Sequence, residues 1–334
     1  MPESEIDAEA LAVHRRAVVV DTHQDTLEDV VAGRRHLGER ADSGHADLPR
    51  LLEGGVDVVL FSHWTRPTGY PGLTLSQVLH KLHIFWQECA DTSSTLAPAT
   101  TAGEIDAAVA AGKVAGVVSM EGLEAIGSDP GLLDVLYRIG VRVASLTWNE
   151  RNALADGTGQ SETRSRLTAA GREAVRAMHR LGIVVDVSHL SEGCFWDLLE
   201  QGDPPVIASH SNARALCDHP RNLSDDQVRA VAQRGGVVGV TFVPAFLVPE
   251  EAGTPATLES VVAHIDHLVT LVGPEHVGIG SDFDGTEQLP VGLEDVTRLP
   301  ALTEALLRRG YGEAAVTAIL GGNFLRVFRQ VWGR

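Results

Sequence analysis

The sequence predicts an α/β fold, a (β/α)8 barrel of the TIM type formed by one domain over residues 1–334. Eight short apolar runs alternate with stretches of helical periodicity, which is typical of parallel strands joined by helical crossovers. The length of 334 residues is sufficient for eight such units. No G-x-G-x-x-G turn follows the first run and no Walker A loop is present, so the sequence motifs of open nucleotide-binding sheets are missing.

Each predicted strand is short and rich in β-branched residues. Such runs are typical of parallel strands whose two faces are both buried. The eight runs are residues 18–20, 56–61, 114–120, 141–146, 183–187, 206–208, 237–242 and 277–279.

Amphipathic stretches separate these runs and predict the outer helices. Ser191 is a candidate N-cap, and the segment from Ser224 to Gln227 has the pattern of a capping box. The C-terminal stretch is expected to be helical with a break at Gly321-Gly322. The predicted helices cover residues 74–90, 104–111, 132–139, 168–181, 191–200, 224–234, 258–272 and 302–331.

Composition excludes several classes of protein. The formal net charge of −18 argues against a nucleic-acid partner, because phosphates require Lys and Arg, and it disfavours an anionic membrane surface. The three cysteines are odd in number and match no zinc-knuckle or C-x-x-C spacing, which predicts buried or idle thiols in a reducing compartment. The acidic N-terminus lacks a signal-peptide pattern, and no apolar run approaches the length of about 20 residues that spans a bilayer. We therefore expect a cytoplasmic protein.

Side chains that bind metals recur where the predicted strands end. The carboxyl ends of barrel strands meet on one face, where the active sites of such folds lie. His23 alone with Asp25 would be a weak motif, but such side chains follow six of the eight runs. These side chains are His23, Asp25, His63, Glu121, His189, His210 and Asp282.

The number of ligands predicts a site for two metal ions. Five residues exceed one tetrahedral zinc site, whereas two metals that share a carboxylate accommodate them all. Glu121 is the natural bridge, because it lies between the other ligands along the barrel. Asp282 then remains as a proton acceptor and donor. The five predicted ligands are His23, Asp25, Glu121, His189 and His210.

Each residue also has a structural alternative. His189 alone could be a hydrogen-bonded core histidine, and Glu121 or Asp282 could cap a helix or a turn. We assign His63 to a structural or supporting position. Arg221, in the loop after the sixth run, could bind a carboxylate through bidentate hydrogen bonds or be an ordinary solvated arginine.

Seven motifs at these positions resemble those of the membrane dipeptidases, also called renal dipeptidases, of the amidohydrolase superfamily. The chain is similar to the soluble, bacterial type over about residues 18–328. The motifs are Asp21-Thr22-His23-Gln24-Asp25, Met120-Glu121-Gly122, Asp186-Val187-Ser188-His189, Ser209-His210-Ser211-Asn212-Ala213-Arg214, His219-Pro220-Arg221-Asn222, Gly280-Ser281-Asp282-Phe283-Asp284-Gly285 and Gly321-Gly322-Asn323-Phe324.

This resemblance implies a metallo-dipeptidase with two Zn²⁺ per chain. It implies that His23 and Asp25 bind one zinc, that His189 and His210 bind the other, and that Glu121 binds both. It further implies that Arg221 binds the C-terminal carboxylate of a dipeptide and that Asp282 handles the proton. The implied reaction is hydrolysis of the peptide bond by a hydroxide that bridges the metals, with tolerance for a D-residue on the C-terminal side. The resemblance also implies a possible homodimer.

One position departs from the family pattern. The mammalian proteins have a substrate-contacting histidine after the fourth strand, where this chain has Trp148 followed by Asn149. An indole can donate one hydrogen bond but cannot become cationic. Both residues are predicted to bind substrate. Two alternatives stay open: hydrolysis of another small amide, such as a lactam or an N-acyl amino acid, and a non-catalytic metal-binding barrel.

Overall fold

The computed structural model describes residues 6–66, 69–160 and 165–332, so part of the acidic N-terminus considered above lies outside the described residues. Within these residues, nine parallel strands form one sheet. They are β1 (Val20–Gln24), β2 (Val58–Ser62), β3 (Leu96–Pro98), β4 (Val114–Met120), β5 (Val141–Ser145), β6 (Val184–Asp186), β7 (Val206–Ala208), β8 (Val237–Val240) and β9 (Val277–Ile279).

Eight of these strands close into a barrel in the order β1-β2-β4-β5-β6-β7-β8-β9. The pairing of Asp21 in β1 with Ile279 in β9 closes the ring. The eight strands correspond to the eight predicted apolar runs, and the predicted (β/α)8 barrel is confirmed.

The ninth strand, β3, was not predicted and lies beside the barrel. It pairs with the first half of β4, from Val114 to Gly116, while β5 pairs with the second half from Val118 onward. A three-residue strand that ends in proline carries almost no periodicity, so its pairing depends on the neighbouring strand rather than on its own sequence.

The seven predicted helices up to residue 272 are confirmed with ends within a few residues. The predicted C-terminal helix 302–331 is wrong in one respect, because one helix ends at Arg308 and the next begins only at Glu313. Among the described residues, three helices before residue 54 and the short helix Pro244–Leu247 were not predicted. No described helix is long and apolar enough to cross a membrane. The helices are α1 (Ala8–Arg16), α2 (Leu27–Val31), α3 (Leu48–Glu53), α4 (Pro71–Asp91), α5 (Ala102–Ala110), α6 (Leu132–Arg138), α7 (Ala169–Leu181), α8 (Glu192–Leu199), α9 (Asp225–Gln233), α10 (Pro244–Leu247), α11 (Leu258–Val272), α12 (Leu299–Arg308), α13 (Glu313–Thr317) and α14 (Asn323–Trp332).

The two predicted helix starts have different outcomes. At α9 the capping box is present, since Gln227 N–H donates to Ser224 Oγ and Ser224 N–H donates to the Gln227 side chain. Ser191 occupies the N-cap position of α8, but its hydroxyl makes no capping hydrogen bond. A cap can therefore be placed correctly from sequence without its side chain acting as one.

The predicted break at Gly321-Gly322 is a π-helical turn, Ala318–Gly322, rather than an end of the helix. A Cβ atom on Gly321 would lie 2.2 Å from the carbonyl oxygen of Val18. Glycine is required here because the turn packs directly against the chain that enters β1.

The hydrophobic core forms two layers. The larger cluster packs the outer faces of the strands against the helices, and includes Val59 and Phe85. A second cluster joins alternate strand residues such as Val58 and Leu60 to Phe324 of α14. Successive residues of one strand therefore point to opposite faces of the sheet. The polar carboxyl ends of the strands lie at the end of the barrel away from Phe324.

Asp57, which directly precedes β2, hydrogen-bonds the chain that leads into β1. Its carboxylate accepts a hydrogen bond from Val19 N–H at 2.8 Å, and burial raises its pKa to about 6. The pKa of an aspartate in the unfolded chain is about 3.9. The folded protein therefore loses stability as the pH rises from about 4 to 6, because Asp57 ionises more readily in the unfolded chain. We expect Asp57→Asn to raise the free energy of unfolding at pH 7.5 by about 1 kcal/mol, because the amide oxygen still accepts the bond.

Urea unfolding at pH 7.5 and at pH 4 measures this effect, with the exposed Asp226→Asn as the control. The gain should shrink towards zero at pH 4. An equal gain at both pH values, or none at pH 7.5, would show that ionisation of Asp57 does not oppose folding.

Candidate functional site

Six predicted residues meet at the carboxyl end of the barrel. They are brought there by the ends of different strands, all of which run in the same direction. Every one of these side chains is buried, with at most 9% of the residue exposed. The six are His23 and Asp25 at β1, Glu121 after β4, His189 after β6, His210 after β7 and Asp282 after β9.

Glu121 lies at the centre of this group, and its two oxygens face different partners. Oε1 is 2.8 Å from His189 Nε2 and 3.7 Å from His210 Nε2. Oε2 is 3.5 Å from His23 Nε2 and accepts a hydrogen bond from Ser62 Oγ at 3.0 Å. One carboxylate thus connects two sets of potential ligands.

The side of the site at β1 and β9 is formed by carboxylates around His23. Its Nε2 atom is 3.4 Å from Asp25 Oδ2 and 3.9 Å from Asp282 Oδ1. On the other side, the Nε2 atoms of His189 and His210 are 2.9 Å apart. The His23 ring stacks on the His210 ring with centroids 3.7 Å apart, so the two halves are in direct contact.

This donor set fits divalent metal ions. His23 Nε2 and Asp25 Oδ1 are buried and have no hydrogen-bond partner among the described residues. Ligand atoms of His23, Glu121 and His210 all lie within 4.8 Å of one another, as do those of His23, Asp25 and Asp282. Imidazole nitrogen and carboxylate oxygen are ligands that Zn²⁺ and similar ions take.

The electrostatics of the site favour a bound cation. Burial and nearby Arg221 lower the pKa of His189 to about 3, which keeps its imidazole in the neutral form that binds metals. Burial opposes a charge on His23, yet Glu121 and Asp25 raise its pKa well above the usual value. The clustered carboxylates therefore stabilise a positive charge in the site, and a bound metal ion would provide that charge.

Asp282 differs from the other carboxylates. Burial raises its pKa to about 7. The negative charges of Asp25 and Glu121 also raise this pKa, whereas the positive charges of His23 and Arg221 lower it. A carboxyl group with a pKa near neutrality can both accept and donate a proton at working pH.

Two imidazoles are oriented by neighbouring side chains. His189 Nδ1–H donates to Asn149 Oδ1 at 2.7 Å, which leaves Nε2 directed at Glu121. His210 Nδ1–H donates to Ser209 Oγ at 2.7 Å, and that hydroxyl donates to Asp186 at 2.5 Å. Such contacts fix the tautomer of a ligand and strengthen its basicity.

Sequence reasoning missed the supporting roles of Ser209 and Asp186. Both stand in the motifs that carry His189 and His210, but a contact between strand ends has no local signal. Asn149 was predicted to face substrate; it lines the cavity and also contacts His189. His63 is buried against its own strand, with Nδ1 donating to Phe61 O at 3.0 Å, which agrees with a structural position.

Backbone strain coincides with the site. Among the described residues, three that are not glycine have positive φ: His189 at 67°, Asp282 at 66° and Asp284 at 67°. Such conformations cost about 1–3 kcal/mol each and persist where the surrounding structure enforces them. Gly285 packs tightly beside them, since a Cβ atom there would lie 2.1 Å from Asp282 Oδ1 and 2.4 Å from Asp25 Oδ2.

A cavity of about 340 Å³ opens above the cluster and has the size of a site for a small molecule. Arg221 lines one side. It is buried, its Nη2 donates to His210 O at 3.1 Å, and its Nε has no partner among the described residues. Trp148 lines the cavity at another side, with its ring edge-to-face against Trp64 at 5.3 Å.

Fold and site together define the class of the protein: a (β/α)8 barrel with imidazole and carboxylate side chains gathered for metal binding at the carboxyl ends of its strands. Comparison with known proteins then gives the family. Residues 7–332 match the family described as membrane dipeptidase, peptidase family M19, and the chain belongs to that family of metallopeptidases. The family predicted from the motifs is confirmed.

The chain is also similar to individual proteins and solved structures. The chain is 35% identical over 301 residues to dipeptidase verJ of Clonostachys rogersoniana, covering 86% of this chain and 76% of the relative. It is 37% identical over 270 residues to an uncharacterized protein in the pqqA 5′ region of Klebsiella pneumoniae, covering 78% of this chain and 98% of the relative. A crystal structure of a metallo peptidase from Rhodobacter sphaeroides, liganded with a phosphinate mimic of the dipeptide L-Ala-D-Ala, superposes with a TM-score of 0.87 at 31% identity, covering 95% and 99% of the two chains.

Proposed function

We propose that this protein is a zinc-dependent dipeptidase with two metal ions, which tolerates a D-residue at the C-terminal position of its substrate. The observation that carries the proposal is the placement of Glu121, whose two oxygens face His23 on one side and His189 on the other. The D-residue is supported by the ligand of the Rhodobacter sphaeroides structure, which mimics L-Ala-D-Ala.

The proposed ligands follow from this division. His23 and Asp25 would hold one ion, His189 and His210 the other, and Glu121 both. Two Zn²⁺ ions in these positions would supply an acidified water as nucleophile and polarise the scissile carbonyl.

The chain's own side chains orient the substrate and move the proton. Arg221 would bind the C-terminal carboxylate of the dipeptide, because its guanidinium lies at the cavity wall and its Nε has no partner among the described residues. Asp282 would accept a proton at its carboxylate during attack and deliver it to the leaving amine nitrogen. Buried walls around both groups exclude bulk water from the reacting bond.

We further propose that residues 1–334 form one catalytic domain and that the protein works in the cytoplasm. The three cysteines, Cys89, Cys194 and Cys217, are buried and free, which supports a reducing compartment.

A substrate panel tests the function. The zinc-loaded protein is assayed with L,L- and L,D-dipeptides, N-acetyl amino acids and a β-lactam, by following release of the free amino acid or opening of the ring. We expect hydrolysis of dipeptides of both stereochemistries. Turnover of acyl amino acids or the lactam alone would replace the dipeptidase proposal with another amidase, and a metal-loaded protein inert on every amide would favour a binding protein.

The Asn149 contact gives a separate prediction for the metal site. Asn149→Ala removes the acceptor that orients His189, and we expect zinc affinity to fall by about 10- to 100-fold. Competition with a chromophoric chelator measures this affinity. Asn149→Asp, which keeps an acceptor oxygen, is the matched control and should stay near the native value. Unchanged affinity in Asn149→Ala would show that His189 needs no such support.

A further inference from the structure

The wall of the cavity opposite Arg221 is aromatic. Arg221 follows β7, whereas Trp64 follows β2, and these two strands are separated by four steps in either direction around the ring of eight. Trp64 and Trp148 both line the cavity and meet edge-to-face with ring centroids 5.3 Å apart. A ligand held at Arg221 that extends across the barrel over the His and carboxylate cluster would therefore have its far end on the side of Trp64, whose ring meets that of Trp148.

Trp64 is held in place from behind. Lys81 of α4 is buried, donates to the carbonyl oxygen of Trp64 and lies 5.7 Å from the centroid of its ring. The same ammonium pairs with Glu28, a partly exposed carboxylate at the cavity wall. A tryptophan fixed by a carbonyl hydrogen bond and a cation–π contact forms a rigid surface.

The charge of this wall is balanced. Burial lowers the pKa of Lys81 to about 8, so that the amine is mostly protonated at pH 7 and neutralises Glu28. The wall thus offers indole surface rather than a net negative charge. The indole Nε1 of Trp64 is buried and has no partner among the described residues.

We propose that Trp64 and Trp148 form the subsite for the side chain of the substrate's N-terminal residue, and that this subsite selects a large apolar or aromatic side chain. The inference rests on the proposed dipeptidase function, because Arg221 must hold the C-terminal carboxylate for the other end to reach the indoles. Aromatic side chains gain stacking as well as burial against such a wall.

The test compares L-Phe-L-Ala, L-Ala-L-Ala, L-Ala-L-Phe and L-Lys-L-Ala with the zinc-loaded protein. We expect kcat/KM for Phe-Ala to exceed that for Ala-Ala by about tenfold or more. Trp64→Ala and Trp148→Ala should each reduce this ratio by about tenfold, whereas Trp64→Phe should keep most of it. Trp196→Ala, a half-exposed tryptophan on α8, is the control and should leave the ratio as in the native protein.

The outcomes separate this subsite from the function itself. Hydrolysis of none of the four dipeptides would refute the dipeptidase proposal, whatever the variants do. Hydrolysis with an unchanged Phe-Ala to Ala-Ala ratio in both alanine variants, or a loss confined to Ala-Phe, would overturn the subsite. Preference for Lys-Ala over Phe-Ala would also overturn it, because Glu28 would then act as a free charge in the subsite. If Trp64→Ala does not fold, the ratio in Trp148→Ala and Trp64→Phe decides.

Discussion

Asp282→Asn is expected to lower kcat for dipeptide hydrolysis by about 10²- to 10⁴-fold while the protein still binds its metals. The amide has the shape of the carboxylate but cannot take a proton from the attacking water or return one to the leaving amine. Asp282 Oδ1 is 3.9 Å from His23 Nε2, further than Glu121 and Asp25 approach that nitrogen. Loss of its charge should therefore affect proton transfer more than metal binding.

Steady-state kinetics together with metal analysis of the same preparation measure both effects. The combination matters because Asp282 also lies within reach of a metal held by His23 and Asp25. A near-native kcat would contradict the assignment of proton transfer to Asp282. Loss of metal in parallel with activity would instead make Asp282 a ligand.

The second large effect is expected for Glu121→Gln. A bridging carboxylate supplies negative charge to two ions, and a neutral amide cannot replace it. We expect at least one ion to be lost on dialysis and kcat/KM to fall by about 10³-fold or more. Metal content is measured by mass spectrometry of the dialysed protein, alongside the dipeptide assay.

Glu124→Gln is the matched control for this variant. Glu124 is a neighbouring, partly buried carboxyl that accepts hydrogen bonds from Trp148 N–H and Asn152, and desolvation raises its pKa. An amide should serve there nearly as well, with metal content unchanged. Two retained ions in Glu121→Gln would contradict a bridge at this residue.

The sequence predicted the barrel and the meeting point of its site because both depend on repeated local patterns. Each apolar run became a strand, and parallel strands place their carboxyl ends on one face. Side chains that follow different strands, such as His23 and His210, therefore had to lie near each other. The structure confirms this, since the ring centroids of His23 and His210 are 3.7 Å apart.

Features that depend on contacts distant in sequence were not predictable in this way. The hydrogen-bonded pair of Ser209 with Asp186 joins two strand ends, and Lys81 of α4 contacts Trp64 and Glu28, which lie 17 and 53 residues away in the sequence. The positive φ values of His189 and Asp282 could not be predicted, because residues other than glycine adopt this conformation only uncommonly. The short strand β3 owes its pairing to β4 rather than to its own three residues.

The two-metal centre is tested by a zinc titration of protein from which a chelator has removed the metal, with hydrolysis of an L,D-dipeptide recorded at each step. We expect no turnover in the metal-free protein and a rise in activity that reaches its plateau at two zinc ions per chain. Full activity in the metal-free protein, or a plateau at one ion per chain, would contradict a shared two-metal centre at Glu121.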